Sequence, residues 1–374
     1  MDGVRELTDD VRELAARVEA YDQVAPLNEE AWLELESGGG DAWHFSHREK
    51  GRLVGYLQWQ PGVGTGQLMV DPQARRRGIG TSLVGGLVCE MEGERGGRGD
   101  VNSWNRSPTI NKGGRQEERG GRGDGSSDLV LLGSRVGGRG SDEPSPGSCG
   151  FQLWAFGDLE GAKGFAGARG MVPVRELWMM ELSVSDELSS LAGGSHLVGG
   201  NQGDGSSDLV LRNGGVERLG QTNRPRGGIS IRAYREGDAP ALLEVNAAAF
   251  AHHPEQGGLD PAGLEARMGE PWFDPRGLLL AFDDEGLAGF HWTKRHDATT
   301  GEVYVIGVAP RAQGRGLGRV LLDAGLAHLA RSGCAKIVLY VDSGDVVAVN
   351  MYKTAGFTLA HRDVLYASCR KDQR

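Results

Sequence analysis

The sequence predicts an α/β (α+β) fold, and three observations carry that prediction. Strand and helix patterns alternate cleanly from residue 229 to about residue 370. A shorter alternation precedes them, over residues 4–90 and again over residues 151–182. Two glycine- and arginine-rich turns, within 73–87 and 311–325, each join an apolar strand to an apolar helix. Such alternation is typical of a sheet covered by helices.

In the first half of the chain, apolar residues at helical spacing predict an amphipathic helix over residues 4–20. Residues 51–60 and 66–72 have the composition of strands, and an apolar helix is expected from Thr81. Within residues 151–182, FQLWAF and VRELWMMEL are expected to be strands, with a weak helix in DLEGAKGFAGARG between them. This half is therefore a shorter and interrupted version of the strand and helix alternation.

In the second half, the predicted strands are LLLAFDD, LAGFHWTK, GEVYVIGVAP and KIVLYVD. The predicted helices cover residues 239–250, 315–331 and 346–355. The second half therefore reads as one complete domain.

Two segments differ in composition from the rest. Residues 92–150 hold 16 glycines in 59 positions and few apolar groups, and residues 183–228 are rich in Gly, Ser and Asn. Such sequence buries too little apolar surface to offset its ordering entropy, so we expect a disordered insert and a linker. The nonapeptide GDGSSDLVL occurs at both 123–131 and 203–211. It is interpreted as duplicated inert sequence, with a short binding motif as the alternative.

Composition narrows the classes of function. The chain has 374 residues and a net charge of −10, which argues against nucleic acid as the main partner. The four cysteines are scattered, as in proteins of a reducing cytosol. The first residues lack the apolar core of a signal peptide, and no apolar run is long enough for a membrane span. We therefore expect a cytoplasmic protein, monomeric and without membrane or nucleic-acid partners.

Metal binding is not expected either. Several histidines of the second half invite a metal interpretation, but their spacings do not build a coherent zinc site. These residues are His252, His253, His291 and His296.

The two glycine–arginine turns predict an anion site. Each follows a strand that ends at a proline, Pro72 or Pro310, and each opens a helix. The first N–H groups of a helix are unpaired, and glycines let the backbone approach a phosphate closely. The turn residues add positive charge through Arg75, Arg76, Arg77, Arg311, Arg315 and Arg319. We interpret the turns as pyrophosphate cradles, although neither a Walker A motif nor a Rossmann fingerprint is present.

The turns QARRRGIGT and QGRGLGR resemble the acyl-CoA pyrophosphate loop of the GNAT acetyltransferases, and two of them in one chain resemble a tandem GNAT protein. Other segments are similar to the mycothiol synthase family, over roughly residues 20–90, 151–182 and 229–368. They are VAPLNEEAW, LWAFGDLEGAK, VRELWMM, NAAAFAHHPEQGG, EPWFDP, GFHWTK and GEVYVIGV.

The resemblance implies two GNAT domains, each a mixed twisted sheet flanked by helices. Residues 1–182 would form a degenerate N-terminal domain, interrupted by the insert at 92–150. A linker at 183–228 would lead to a catalytic domain at 229–374. We expect the N-terminal domain to be structural and to be able to hold a second CoA.

The resemblance also implies a reaction. An actinobacterial enzyme of this family transfers the acetyl group of acetyl-CoA to the cysteinyl amine of desacetylmycothiol (Cys-GlcN-Ins), the last step of mycothiol biosynthesis. Glu302 would be the base and Tyr352 the acid that protonates the leaving thiolate. Backbone N–H groups of residues 305–308 would polarise the thioester, with Gly307 permitting a bulge. A small-molecule amine is thus the expected partner.

The remaining site residues are also implied by the resemblance. The amine substrate would be bound by Glu29, Glu255, Lys294, Glu302 and Tyr340. The N-terminal CoA site would contain Leu68, Met69, Val70, Arg75, Arg76, Arg77, Gly78, Ile79 and Gly80. The C-terminal acetyl-CoA site would contain Ile306, Gly307, Val308, Gln313, Gly314, Arg315, Gly316, Leu317, Gly318, Arg319, Asp345, Val346, Val347, Ala348, Val349 and Asn350.

Asp345 departs from the family pattern, which has Asn at this position. An aspartate still caps a helix, but it cannot donate a hydrogen bond and adds negative charge near the phosphates. We therefore expect a lower affinity for CoA. Two other functions stay open: a tandem GNAT protein acetylating another amine, such as a protein N-terminus or an aminoglycoside, and a non-catalytic CoA-binding protein.

Overall fold

The computed structural model describes residues 2–37, 41–96, 149–184, 208–212, 215–219, 228–251 and 258–369, and the chain divides into two compact units. The first unit comprises the described residues up to 96 together with residues 149–176 and 362–369. The second unit comprises the described residues from 177 to 361.

The first unit is a sheet with helices packed on both faces. Apolar residues of the first helix, including Val11 and Leu14, are buried in one cluster with Tyr56. Leu57, from the same strand as Tyr56, belongs to a second cluster with Leu83 of a later helix. The elements are α1 (Asp2–Asp22), α2 (Glu29–Ser37), β1 (Trp43–Glu49), β2 (Arg52–Gln60), β3 (Thr65–Val70), α3 (Ile79–Gly96), β4 (Cys149–Ala155), α4 (Glu160–Ala168), the start of β5 (Met171–Ser183) and the end of β13 (Thr358–Cys369).

The strand order in this unit is β1–β2–β3–β4–β13. All neighbours are antiparallel except β3 and β4, which run parallel. The parallel pairing is short: it joins residues 65–67 of β3 to residues 152–154 of β4 and ends there, although β3 continues to Val70.

The second unit repeats this plan with more strands. Its strand order is β5–β12–β11–β10–β9–β8–β6–β7, and only β11 and β12 run parallel. Its elements, after the last residues of β5, are β6 (Asp208–Arg212), β7 (Gly215–Leu219), β8 (Ser230–Ala233), α5 (Ala239–Ala249), α6 (Pro261–Met268), β9 (Leu278–Asp283), β10 (Gly286–Arg295), β11 (Thr300–Val308), α7 (Leu317–Arg331), β12 (Lys336–Asp342), α8 (Val346–Thr354) and the first residues of β13.

The predicted fold class is confirmed, because both units are mixed sheets flanked by helices. The predicted insert at 92–150 is too long at both ends. Helix α3 continues to Gly96 and β4 begins at Cys149, because backbone pairing in these elements extends beyond their apolar residues. Residues 97–148, with the first copy of the nonapeptide, lie outside the described residues.

The predicted linker at 183–228 also needs correction. Within its described residues, β6 and β7 form an antiparallel hairpin, and β6 adds to the sheet through β8. The second copy of the nonapeptide, at 203–211, therefore ends in a strand. Strand-forming Leu and Val residues occur in that copy, and polar neighbours obscured them in the composition.

The division into units differs from the predicted domain ranges of 1–182 and 229–374. Residues 177–183 of β5 pair with β12 and belong to the second unit. Residues 364–369 of β13 pair with β4 and belong to the first unit. Each unit therefore completes its sheet with a strand that the sequence pattern assigns to the other half.

Candidate active site

A gap between two parallel strands defines the site in the second unit. Strand β11 pairs with β12 only at residues 300–302, opposite residues 336–338. It then continues to Val308 with its other edge paired to β10. Because the pairing with β12 ends at Glu302, the backbone of residues 305–308 faces a cleft instead of a partner strand. Backbone N–H groups in such a cleft are suited to binding a ligand carbonyl.

The bulge predicted at Gly307 is wrong. The register between β10 and β11 shifts between Trp292 and Thr293, and the extra residue of β11 is Tyr304. Gly307 itself lies in regular pairing with Phe290. A Cβ atom at Gly307 would lie 2.5 Å from the Phe290 ring. Glycine is thus needed here to make room for an aromatic side chain in the sheet.

The loop after β11 has the geometry of an anion cradle. Gly314 and Gly316 have φ angles of 73° and 78°, which side-chain-bearing residues rarely adopt. The Gln313 side chain donates a hydrogen bond to the Val308 carbonyl at 3.1 Å, and helix α7 begins at Leu317. The loop is therefore tied back to the strand, and unpaired N–H groups of the helix lie next to it.

The three arginines at this loop differ in how far carboxylates of the chain neutralise them. Arg311 is paired with Asp283 at 2.5 Å, and Arg319 with Asp323 at 2.8 Å. Arg315 lies 4.0 Å from Asp283 and is mostly exposed. The positive charge predicted for Arg311 is thus largely neutralised within the chain, and Arg315 is the loop arginine best placed to meet an anion.

A cavity of about 280 Å³ brings many of the predicted acetyl-CoA residues together. It lies between the end of β11, the loop and helix α8, and Ala249 and Phe250 close it from the end of α5. The predicted residues that line it are Ile306, Gly307, Val308, Gln313, Gly314, Gly316, Leu317, Gly318, Arg319 and Val347.

The start of helix α8 forms one rim of this cavity. Asp345 caps the helix by accepting a hydrogen bond from the Ala348 N–H at 2.9 Å, as predicted. Val346 and Val347 are 63% and 52% exposed, whereas the Ala348 and Val349 side chains are buried in the core. The two exposed valines offer an apolar surface to a ligand. Asn350 is exposed on the same helix, outside the cavity lining.

Glu302 lies in the core of the site and is 5% exposed at its side chain. Its Oε2 atom is 2.6 Å from Nε2 of His296, whose side chain is 40% exposed. The sequence pattern draws attention to His296 only through the metal interpretation and does not predict its contact with Glu302. Its position at the hairpin between β10 and β11, six residues before Glu302, is the signal that could have identified it.

Lys294 is the cross-strand partner of Glu302. It is buried, and its ammonium group lies over two aromatic rings, 4.8 Å from the Trp272 centroid and 5.3 Å from the Tyr304 centroid. Cation–π contacts of this kind hold a desolvated ammonium group in place. The base and substrate residues predicted at positions 302 and 294 are therefore neighbours.

Tyr352 is fully buried in helix α8, against the ring of Phe357. Its hydroxyl group has no hydrogen-bond partner within the part of the chain that the structure describes. Burial raises the pKa of Tyr352, and the charge of Asp345 raises it further. The phenol therefore stays protonated at neutral pH. A buried hydroxyl without a partner fits a site whose ligand supplies one.

The other predicted substrate residues have different outcomes. Tyr340 lies in β12, partly buried, with Met179 of β5 as its register partner. Glu29 is the first residue of α2, in the first unit. Glu255 lies outside the described residues.

The first unit contains a second loop with the same backbone geometry. Arg76 and Gly78 have φ angles of 62° and 83°, matching Gly314 and Gly316. Arg75 donates from Nε to the Val70 carbonyl at 3.1 Å, as Gln313 does to the end of β11. The two loops thus share both their turn conformation and their attachment to the preceding strand.

A larger cavity, of about 820 Å³, lies at this loop. Apolar residues of β4 and α4, such as Leu153 and Phe165, form much of its lining. The predicted residues Leu68, Met69, Val70, Arg75, Arg76, Gly78, Ile79 and Gly80 also line it. Arg77 does not: it is paired with Glu49 at 2.8 Å, and Arg75 is paired with Asp22. Arg76 is exposed and gives this loop its charge.

The described residues of the first unit carry no counterparts of Glu302 and Tyr352. Val70 pairs with Gly55 as Val308 pairs with Gly289, and following both registers past the extra residue Tyr304 places Thr65 where the second unit has Glu302. Helices α4 and α8 both have nine residues, and Ala166 is the seventh residue of α4, as Tyr352 is of α8. Neither Thr65 nor Ala166 titrates near neutral pH, so neither can serve as a base or an acid.

No cluster of three or more His, Cys, Asp or Glu side chains suited to a metal ion occurs among the described residues. Among the described helices, none combines the length and apolar character needed to cross a membrane.

Comparison with known proteins finds relatives that belong to one family of acetyltransferases. The profile of the acetyltransferase (GNAT) family matches residues 246–357. The mycothiol acetyltransferase of Catenulispora acidiphila is 33% identical, over 95% of this chain and 93% of its own. That of Rhodococcus opacus is 34% identical, over 96% of this chain and 93% of its own.

Solved structures agree in fold. A GCN5-related N-acetyltransferase from Sphaerobacter thermophilus superposes with a TM-score of 0.55 at 19% identity, covering 96% of this chain and 91% of its own. A tandem GNAT protein from the clavulanic acid biosynthesis pathway gives a TM-score of 0.52 at 17% identity, with 99% and 96% covered.

Proposed function

Because this chain belongs to the mycothiol acetyltransferase family of GNAT proteins, we propose that it transfers the acetyl group of acetyl-CoA to the cysteinyl amine of desacetylmycothiol. The product is an amide and the leaving group is the CoA thiol. The proposal is supported by four features of one unit: the unpaired end of β11, the glycine loop before helix α7, the buried carboxylate of Glu302 and the buried, unpaired hydroxyl of Tyr352.

Acetyl-CoA binds through the loop and the cavity beside it. Its pyrophosphate lies on the N–H groups at Gly314–Gly318, next to Arg315, at the start of helix α7. The exposed valines of α8 pack against its apolar parts. The thioester carbonyl accepts hydrogen bonds from the backbone of β11 beyond Glu302, where the developing oxyanion is stabilised.

The chemistry uses one base and one acid. Glu302 takes a proton from the substrate ammonium group, and the neutral nitrogen attacks the thioester carbon, forming the C–N bond. The C–S bond then breaks as the nitrogen loses its second proton to Glu302, which has been returned to the carboxylate form. The thiolate takes its proton from Tyr352, whose raised pKa keeps the phenol protonated until then, and Tyr352 regains a proton from water. Lys294, Tyr340 and Glu255 bind the hydroxyl and amine groups of the substrate, which gives selectivity over amines that lack those hydroxyl groups.

The first unit has a different role in this proposal. Its loop and its cavity of about 820 Å³ bind a second CoA, while Thr65 and Ala166, at the positions of Glu302 and Tyr352, leave that site without a base or an acid. Titration of the protein with CoA should therefore give two binding sites, of which only one is coupled to turnover. The enzyme acts as a cytoplasmic monomer on a small-molecule amine.

The proposal is tested by measuring the release of CoA thiol from acetyl-CoA in the presence of Cys-GlcN-Ins. The wild-type chain should turn over, and Glu302→Gln should lower kcat by about 10²-fold or more. Glu265→Gln, an exposed glutamate of α6, is the matched control and should leave the rate unchanged. Absence of turnover with acetyl-CoA still bound would shift the assignment to another acceptor amine or to a non-catalytic CoA-binding protein.

A further inference from the structure

The proposed reaction releases one proton to water for each acetyl group transferred. The cysteinyl amine is mostly protonated near neutral pH, since α-amino groups titrate at about 7.7–8.0. Two protons leave the nitrogen as the ammonium group becomes an amide, and one proton is returned to the sulfur. The remaining proton has to leave the active site before the next turnover.

Glu302 receives the protons from nitrogen, but its side chain is almost closed to solvent, at 5% exposure. Nε2 of His296 lies 2.6 Å from Oε2 of Glu302, and the His296 side chain is 40% exposed to solvent. The imidazole therefore contacts the buried carboxylate and is itself accessible from solvent. A neutral imidazole can accept a proton at one nitrogen and release one at the other.

The backbone holds His296 in this position. Its N–H donates to the Thr300 carbonyl at 3.0 Å, which closes the turn between β10 and β11. Asp297, the next residue, accepts hydrogen bonds from the N–H groups of Thr299 and Thr300 at 2.6 and 2.9 Å. These bonds fix the turn, so the imidazole is directed to Glu302 by the same hairpin that places Glu302 beside Lys294.

We propose that His296 is a positioning residue that passes the proton from Glu302 to solvent, a role that rests on the proposed function. Glu302 loses its proton to the imidazole, the imidazolium loses a proton to water, and Glu302 is again a carboxylate. No oxidant, metal or further reactant is needed.

A proton-relay role for His296 predicts results that a purely structural role does not. His296→Ala and His296→Gln should both lower kcat by about 10²-fold, because neither side chain can accept and release a proton near neutral pH. Glutamine can still donate a hydrogen bond to Glu302, so it separates orientation from proton transfer. Imidazole added to the solution should raise the kcat of His296→Ala toward the wild-type value in a saturable way. It should leave the kcat of His296→Gln unchanged, because the glutamine side chain fills the space of the missing ring.

The experiment measures thiol release with acetyl-CoA and Cys-GlcN-Ins, with acetyl-CoA affinity and the unfolding midpoint measured on the same samples. His47→Gln, on β1 of the first unit, is the matched control and should behave as wild type. Full activity of His296→Gln, or no response of a slow His296→Ala to imidazole, overturns the relay while the proposed function stands. An inactive wild-type chain overturns the proposed function and the relay with it.

Discussion

At the scale of single residues, two equally buried tyrosines differ in whether the protein satisfies their hydroxyl groups. Tyr352 and Tyr56 are both fully buried tyrosines. The Tyr56 hydroxyl has a hydrogen-bond partner, Nδ1 of His44 at 2.7 Å, whereas that of Tyr352 has none in the described part of the chain. The same atom type is therefore satisfied by the protein at Tyr56, whereas the hydroxyl of Tyr352 is open to the ligand contact that we propose.

Replacing these tyrosines with phenylalanine should have opposite effects on stability. Tyr352→Phe removes a buried unpaired hydroxyl and should raise the free energy of unfolding by up to about 1 kcal/mol, while lowering kcat by about 10²-fold. Tyr56→Phe leaves the half-buried His44 without this partner and should lower the free energy of unfolding by about 1–2 kcal/mol. Urea denaturation and thiol release measure the two quantities. Equal stability changes in both variants would contradict this difference.

The resemblance and the residue pattern predict Glu302, Lys294, Tyr352 and the loop glycines as site residues, because local motifs carry them. They did not identify the contact of His296 with Glu302, which depends on the hairpin register. They also could not identify which arginines are neutralised, since Asp283 lies 28 residues before Arg311 in the chain.

At the scale of elements, helix α7 approaches β10 closely at His291. His291 of β10 is completely buried, and its Nδ1 lies 2.7 Å from the carbonyl oxygen of Leu321 in α7. Gly325, one turn later, leaves room for the ring: a Cβ atom there would lie 1.9 Å from it. The His291 ring therefore occupies space next to helix α7 that a side chain at position 325 would fill.

Gly325→Ala should overpack this contact and lower the free energy of unfolding by about 1–3 kcal/mol. Gly85→Ala, in the interior of helix α3, is the matched control because a Cβ atom there meets nothing within 4 Å. It should raise stability by up to about 1 kcal/mol through helix propensity. Denaturant titration of both variants tests the pair, and a tolerated Gly325→Ala would show that the ring can move aside.

The buried histidine also makes stability depend on pH. Burial lowers the pKa of His291 to about 4, whereas a histidine in the unfolded chain titrates at about 6.5. Below about pH 6.5 the unfolded chain binds a proton that the folded chain does not, so the stability contributed by the neutral ring is lost as pH falls toward 4. Between about pH 7 and pH 5 the loss should reach about 2 kcal/mol.

This loss is measured by urea denaturation at the two pH values, in wild type and in His291→Gln. Burial also lowers the pKa of His44 to about 4. The difference between the pH-dependent stability losses of the two proteins therefore gives the contribution of His291 alone. An identical pH dependence in both proteins would contradict the assignment to His291.

The sequence predicted elements with strong apolar periodicity, such as α1, α7 and β10. It did not predict β1, whose seven residues WHFSHRE are mostly polar and almost all half-buried. Helices α2 and α6, of nine and eight residues, were also missed, because short helices carry little periodic signal. Strand β13 was missed as well.

At the scale of the whole molecule, the strands at the end of each half complete the other unit. The last residues of β5 pair with β12, and the last residues of β13 pair with β4. The sequence could not predict this, because apolar alternation identifies a strand without identifying its partner.

Cutting the chain at the predicted boundary should therefore produce two incomplete sheets. Fragment 229–374 alone lacks the strand that pairs with β12 and should show no cooperative unfolding transition. Fragments 1–228 and 229–374 produced together should copurify through a tag on one of them, because each carries the missing strand of the other unit. An isolated fragment 229–374 that unfolds cooperatively and binds acetyl-CoA would contradict this expectation.

The strand exchange bears on why a unit persists whose described residues lack counterparts of Glu302 and Tyr352. Deleting its coding sequence through residue 182 would remove the partner of β12 and leave an unpaired, largely apolar sheet edge. Such edges template aggregation. Selection against aggregation thus protects the first half of the gene even where catalysis does not require it, and a shortened descendant would first have to acquire a new strand to cover β12.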